Sequence, residues 1–222
     1  MKLTYPAISR VFDTEDEKIN TLVIEHPRLL AALLTDLTTQ IAGGEGRCVV
    51  SQENKVLPIA KTVELLDRFI PFEAYSRSLL QKINAFLEET ALGETYYAKT
   101  AALLGEWERL LSEIALELPG EIAFSKITAE SLVKAAGAEV QIDGTSLPEM
   151  LLDYMELVTT LEREKLFVLV DLRRVCDDEE TKLLLDSALS HGYHILMIES
   201  SDRPRLPNER RWIVDRDLCE IG

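Results

Sequence analysis

The sequence predicts an α/β fold, and three stretches predict it. Lys165–Asp171 (KLFVLVD) runs through apolar residues into one aspartate without polar alternation, and Tyr193–Glu199 (YHILMIE) does the same into a glutamate. Between them, Asp177–Ser190 carries helical spacing. Short Val/Leu/Phe-rich runs without alternation suit strands buried on both faces. A strand, a helix and a strand joined by short connections make a parallel pair with a right-handed crossover. Asp171 and Glu199 then lie at the carboxyl edge, where open α/β sheets hold ligands.

The elements follow in order. Met1–Tyr5 and Thr21–Glu25 read as short strands separated by a polar turn. His26-Pro27 opens a helix, with proline in the first turn, where its missing N–H is not needed. Leu29, Leu30, Leu33, Leu34, Leu37 and Ile41 form its apolar stripe, and Gly43-Gly44 stops it. Arg47–Val50 reads as a strand and Ser51–Asn54 as a turn; Val56–Asp67 fits either a strand or a helix. From Glu73 the pattern becomes helical: Ser78–Glu89, Thr95–Leu118, Thr128–Ala136 and Pro148–Glu162. Thr128 caps its helix, with Ser131 three residues on and Glu130 in the first turn, and Gly137 ends it. Trp212–Val214 reads as a final edge strand. The domain reading is an α/β head from 1–72 and 163–222, with an α-helical leg, 73–162, inserted between them.

The chain has 222 residues, 39 acidic and 24 basic, for a formal charge of −15. Such a balance argues against an evenly basic nucleic-acid binder but leaves room for a local basic patch. Cys48, Cys176 and Cys219 are odd in number and widely spaced, which fits neither a disulfide framework nor a zinc site and reads as buried thiols in a reducing compartment. No basic-then-apolar leader opens the sequence, and no apolar run approaches the roughly 20 residues that span a bilayer. A soluble cytoplasmic protein is expected.

An apolar strand ending in Asp171 resembles the magnesium-holding strand of P-loop nucleotidases, but that chemistry also needs G-x-x-x-x-G-K-[ST] opening a helix. Here the first strand-to-helix turn reads Glu25-His26-Pro27-Arg28, without glycine, lysine or hydroxyl residue, and Gly43-Gly44-Glu45-Gly46 ends a helix. Asp171 therefore reads as a residue that caps or orients a neighbouring loop. No nucleophile–base arrangement appears, and His191 and His194 are split across Gly192. No enzymatic activity is expected. Glu113 and Glu117, one helical turn apart, with Glu121 beyond the Pro119-Gly120 bend, suit either Ca²⁺ ligation or a solvated helix face. Arg28, Arg47 and Lys55 near the start, and Arg203, Arg205, Arg210 and Arg211 near the end, suit either scattered ion pairs or a surface that grips a phosphate backbone.

Taken in order, TLVIEHPRLLAALLTDL, NKVLPIAKTVELLDRFIPFE, SRSLLQKINAFLEE, ITAESLVKAAGAEV, LFVLVDLRRVCDDEE, HILMIES and IVDRDLCEI run nearly the full length of the chain. In that order the chain resembles the Csn-two family, the small CRISPR-associated proteins of type II-A systems that act in spacer acquisition in antiviral defence. The resemblance implies an α/β head like that of P-loop ATPases without a working nucleotide site, plus a helical leg. It implies a ring-shaped homotetramer that binds calcium and threads double-stranded DNA, by its ends, through a basic hole. The implied partners are the CRISPR integrase and the RNA-guided nuclease of the same system. Two other readings stand beside it: a nucleotide-binding, ATPase-like regulator, and a protein scaffold without DNA binding.

Overall fold

The computed structural model describes residues 1–72, 77–141, 144–162 and 165–222. The chain divides into two compact units, Met1–Glu73 with Ile142–Gly222, and Ala74–Gln141. The architecture is mixed α/β, and among the described residues no helix is long and apolar enough to cross a membrane.

The first unit begins with β1 (Lys2–Thr4), β2 (Phe12–Asp13), β3 (Ile19–Ile24), α1 (Pro27–Ile41), β4 (Val49–Gln52), β5 (Lys55–Leu57), α2 (Ile59–Thr62) and β6 (Val63–Leu66). The second unit holds α3 (Arg77–Leu92), α4 (Tyr97–Ala115) and α5 (Ala129–Ala136). The chain then returns to the first unit with α6 (Leu147–Leu161), β7 (Leu166–Val170), α7 (Asp178–His191), β8 (His194–Glu199), β9 (Glu209–Val214) and β10 (Glu220–Ile221). Two sheets result. One is antiparallel, β2-β1-β4-β5; the other runs β10-β9-β3-β8-β7-β6, parallel except for β10.

The parallel sheet forms where the non-alternating runs require it. Every residue of β3 and β7 is buried, so neither strand has a solvent face. Leu22, Ile24, Val168, Val170, Leu196, Ile198 and Val214 share one core with Leu33 and Leu37 of α1 and with Leu3, Phe12 and Val50 of the antiparallel sheet. The intervening positions, among them Val23, Phe167, Leu169 and Met197, are buried too. They point to the other side of the sheet, and α6 and α7, packed on each other, supply apolar stripes of their own.

The first unit refines the sequence expectation in several places. The second unit spans 74–141 rather than 73–162, because α6 buries Leu151, Tyr154, Met155 and Val158 and its Tyr154 hydroxyl donates to Glu64 of β6 at 2.7 Å. A helical stripe shows which face is apolar but not which unit covers it. The ambiguous stretch Val56–Asp67 is both things in turn: a strand end, one helical turn after Pro58, then β6. Trp212–Val214 belongs to β9, which is not an edge strand; it lies between β3 and β10.

The connection from β8 to β9, residues 200–208, contains no helix. Arg173, whose side chain is 2 % exposed, fastens it: the guanidinium donates to the Pro204 carbonyl at 2.9 Å and to Asp178 at 2.6 Å, and lies 3.8 Å from Glu209. Glu209 in turn accepts from Leu206 N–H at 2.8 Å. A buried ion group of this kind replaces the helix that usually covers a parallel crossover.

In the second unit α3 packs on α5. Thr128 and Ser131 form a reciprocal capping box at the start of α5, and Gly137 (φ 64°) closes it in the left-handed conformation. The helix expected to Leu118 stops at Ala115 and continues as turns, and no residue of α4 is buried.

Candidate functional site

Five parallel strands end at one edge of the sheet, and each is followed within four residues by an arginine: Arg28 after β3, Arg68 after β6, Arg174 after β7, Arg203 after β8 and Arg216 after β9. Arg28, Arg68, Arg174 and Arg216 are exposed, and Arg203 is half-buried. Arg174 lies 3.8 Å from Asp171; among the described residues the other four form no ion pair.

Two acids of the same edge, Asp171 and Glu199, are held by backbone donors. Asp171 adopts the left-handed conformation (φ 53°), and its Oδ1 accepts from Ser200 N–H at 2.7 Å, which ties the end of β7 to the end of β8. Glu199, 2 % exposed, accepts from Arg173 N–H at 3.2 Å. Burial pushes its carboxyl up to about 7, and nearby Asp171 adds to this; the Arg173 N–H and the Arg203 charge pull the other way. The edge thus shows arginine outward and holds Asp171 and Glu199 within hydrogen bonds, while Asp67 and Asp217 beside Arg68 and Arg216 are exposed.

The helix start where a phosphate cradle would sit is capped from within the chain. His26 Nδ1 accepts from Leu29 N–H at 3.2 Å, and Pro27 has no N–H to offer. An anion at a helix N-terminus relies on those donors. Gly43 (φ 88°) and Gly44 close the other end of α1, with Gly44 N–H donating to the Thr39 carbonyl at 2.8 Å.

The basic residues expected from the sequence fall into two sets. Arg28, Arg203 and Lys55, the last exposed on β5, form no ion pair among the described residues. The others have partners inside the protein. Arg47 Nε donates to Asp36 at 2.7 Å, its other nitrogen donates to the Tyr5 hydroxyl at 2.5 Å, and the guanidinium lies 5.1 Å from the Tyr5 ring centre. Burial, then the hydrogen bond to Asp36, pushes the Tyr5 phenol up to about 12. Arg205 donates to the Glu209 carbonyl at 3.1 Å. Arg210 and Arg211 are adjacent on β9, so they face opposite sides of the sheet. Arg210 pairs with Asp16, whereas Arg211 pairs with Asp202 at 2.6 Å and with Glu209 at 3.1 Å. Beside Arg210 a cavity of about 120 Å³ is bounded by Asn20, Trp212 and Arg10, whose guanidinium lies over the Trp212 ring at 5.5 Å.

Arg68 and Arg174 escaped the sequence reading. Their signal is there in hindsight, an arginine two to four residues past each strand, but it needs the strands to be known first.

Glu113, Glu117 and Glu121 are exposed, and Glu113 lies 3.8 Å from Arg109. Among the described residues no three His, Cys, Asp or Glu side chains gather into a metal-binding group. The histidines serve separately: His191 meets the Ser187 carbonyl and stacks on Tyr193, and His194 meets Thr14. Cys48 and Cys176 are buried, and burial pushes their thiols up to about 12 and about 11; Cys219 is exposed.

A comparison with curated proteins finds no match. The family model described as CRISPR-associated protein (Cas_Csn2) matches residues 40–218, most of the chain, including Arg68, Arg174, Arg203 and Arg216 of the carboxyl edge. With that coverage, the chain belongs to the Cas_Csn2 family of CRISPR-associated proteins.

Proposed function

We propose that this CRISPR-associated protein is a non-enzymatic binder of double-stranded DNA that acts in spacer acquisition. In this reading it engages the duplex without regard to sequence, prefers ends, and does so as a ring of four identical subunits with the integrase and the RNA-guided nuclease of the same system. The observation that carries the proposal is the arginine rim at the carboxyl edge. Four guanidinium groups without an ion pair, on a chain of charge −15, are arranged for a polyanion that lines up several phosphates. Contacts of this kind fix position without reading bases.

The head is read as P-loop-ATPase-like in its parallel strands and its aspartate-ended β7, with nucleotide chemistry lost. The His26 cap supports this, as does the Asp171 carboxylate held by Ser200. Calcium, which the family resemblance implies, is part of this reading, with ligands drawn from more than one copy of the chain.

Binding of linear and closed circular duplex across a salt series tests the proposal. Linear DNA should bind more tightly, and Arg68→Ala and Arg216→Ala should each reduce the salt slope by about 1 on every sequence, while Arg210→Ala leaves it unchanged. Equal affinity for the closed circle removes threading. Unchanged slopes remove the carboxyl edge, and saturable ATP binding with Mg²⁺ replaces the whole reading with a nucleotide-binding one.

A further inference from the structure

We propose that the trough between α4 and the segment entering α5 docks a basic amphipathic helix of a partner protein. Tyr97, Ala101, Leu104, Gly105 and Glu108 occupy one face of α4 and line a concavity of about 490 Å³. Leu92 from the end of α3 and Ile127 from the approach to α5 complete an apolar floor. Gly105 widens it: a Cβ added there would meet nothing within 4 Å. From Tyr97 to Glu108 the helical face is about 17 Å long, three turns, which is the length over which a docked helix sets apolar residues at i, i+3, i+4 and i+7.

The rim decides the partner's charge. Glu88 and Glu108 line the trough and form no ion pair among the described residues. Among the described residues Lys126 is the one cation in the lining. Lys134, which feels the charge of Glu88, is already bonded to Glu130 at 2.5 Å. Residues 74–141 carry ten acidic and six basic side chains. Apolar side chains flanked by Lys or Arg would fill the floor and meet both carboxylates. The carboxylates of Glu88 and Glu108 select a cationic segment, so a basic partner is favoured. The helix form is favoured over an extended one because among the described residues this unit offers no strand edge to extend.

The experiment uses the full chain and a fluorescein-labelled Leu/Lys peptide of about 18 residues, long enough to cover the face as a helix. A scrambled peptide of the same composition and a Leu/Glu version serve as controls. Fluorescence anisotropy should show the Leu/Lys helix binding about tenfold or more tighter than either control, since only it presents both the stripe and the charge. Gly105→Leu fills the trough and places a better helix former at an open position, so the fold is kept; binding should fall about tenfold. Glu88→Lys with Glu108→Lys should weaken binding roughly fivefold, the scale of two exposed charge pairs. DNA affinity should stay unchanged in both variants, which separates this site from the carboxyl edge. Equal binding of the scrambled peptide, or full binding to Gly105→Leu, overturns the proposal. So does a fall in the assembly's sedimentation coefficient on Gly105→Leu, which would show that a second copy fills the trough.

Discussion

Glu199→Gln tests how the carboxyl edge holds its acids. The Glu199 carboxyl is 2 % exposed and accepts one backbone N–H, from Arg173 at 3.2 Å. Burial raises it from 4.5 to about 7, against the pull of the Arg173 N–H and Arg203. The folded protein therefore keeps a proton that the unfolded chain releases near pH 4.5. The stability that this protonation provides is complete below that pH and is lost as pH rises through about 7. At about 1.4 kcal/mol per pH unit, the difference is about 3 kcal/mol. Glutamine has the same shape, keeps an acceptor for the Arg173 N–H and never ionises. The variant should match the parent near pH 4.5 and exceed it by about 2–3 kcal/mol at pH 8.5. Urea unfolding across that range, followed by Trp212 fluorescence in a Trp107→Phe background, isolates the first unit, because Trp212 lies on β9 and Trp107 on α4. A difference that does not change with pH, or a parent more stable than the variant at pH 8.5, would refute the reasoning: Arg203 and Arg173 would then hold Glu199 ionised.

Two other perturbations follow from the same geometry. Arg173→Met removes the fastening of residues 200–208 and leaves the Pro204 carbonyl without its donor; a loss of about 2–4 kcal/mol is expected, with faster proteolysis of that segment, and an unchanged denaturation midpoint and cleavage pattern would show that the crossover holds without it. Chelation should lower the melting temperature if the assembled protein binds calcium, and Glu113→Gln with Glu117→Gln should leave that difference intact, since among the described residues no third ligand gathers with those side chains; loss of the calcium effect in the double variant would place the ligands at Glu113 and Glu117.

Much of the fold could be read locally. The strands around Phe167 and Leu196 declare themselves because burial on both faces removes alternation, and α1 and α5 declare themselves through Pro27, Thr128 and the glycines that end them. β6 did not, because Val63–Leu66 is four residues long and a run that short has no period to measure. The site was less legible. Arg28 and Arg203 stand at the rim without an ion pair among the described residues, but Arg210 next to Arg211 reads as one patch and is held in three ion pairs, with Asp16 on one face and with Asp202 and Glu209 on the other.

The amino-acid sequence by itself determined an α/β chain with a helical insertion, the position of its buried parallel strands, the absence of a phosphate cradle at Glu25–Arg28, and membership in a CRISPR-associated family. Only the tertiary structure decided which arginines remain without an ion pair, which unit owns α6, and that five strands deliver an arginine to one edge. The reason is range. Periodicity and capping act over a few residues, whereas Arg210 finds Asp16 across 194 positions, and Ser200 meets Asp171 only because β7 and β8 lie side by side.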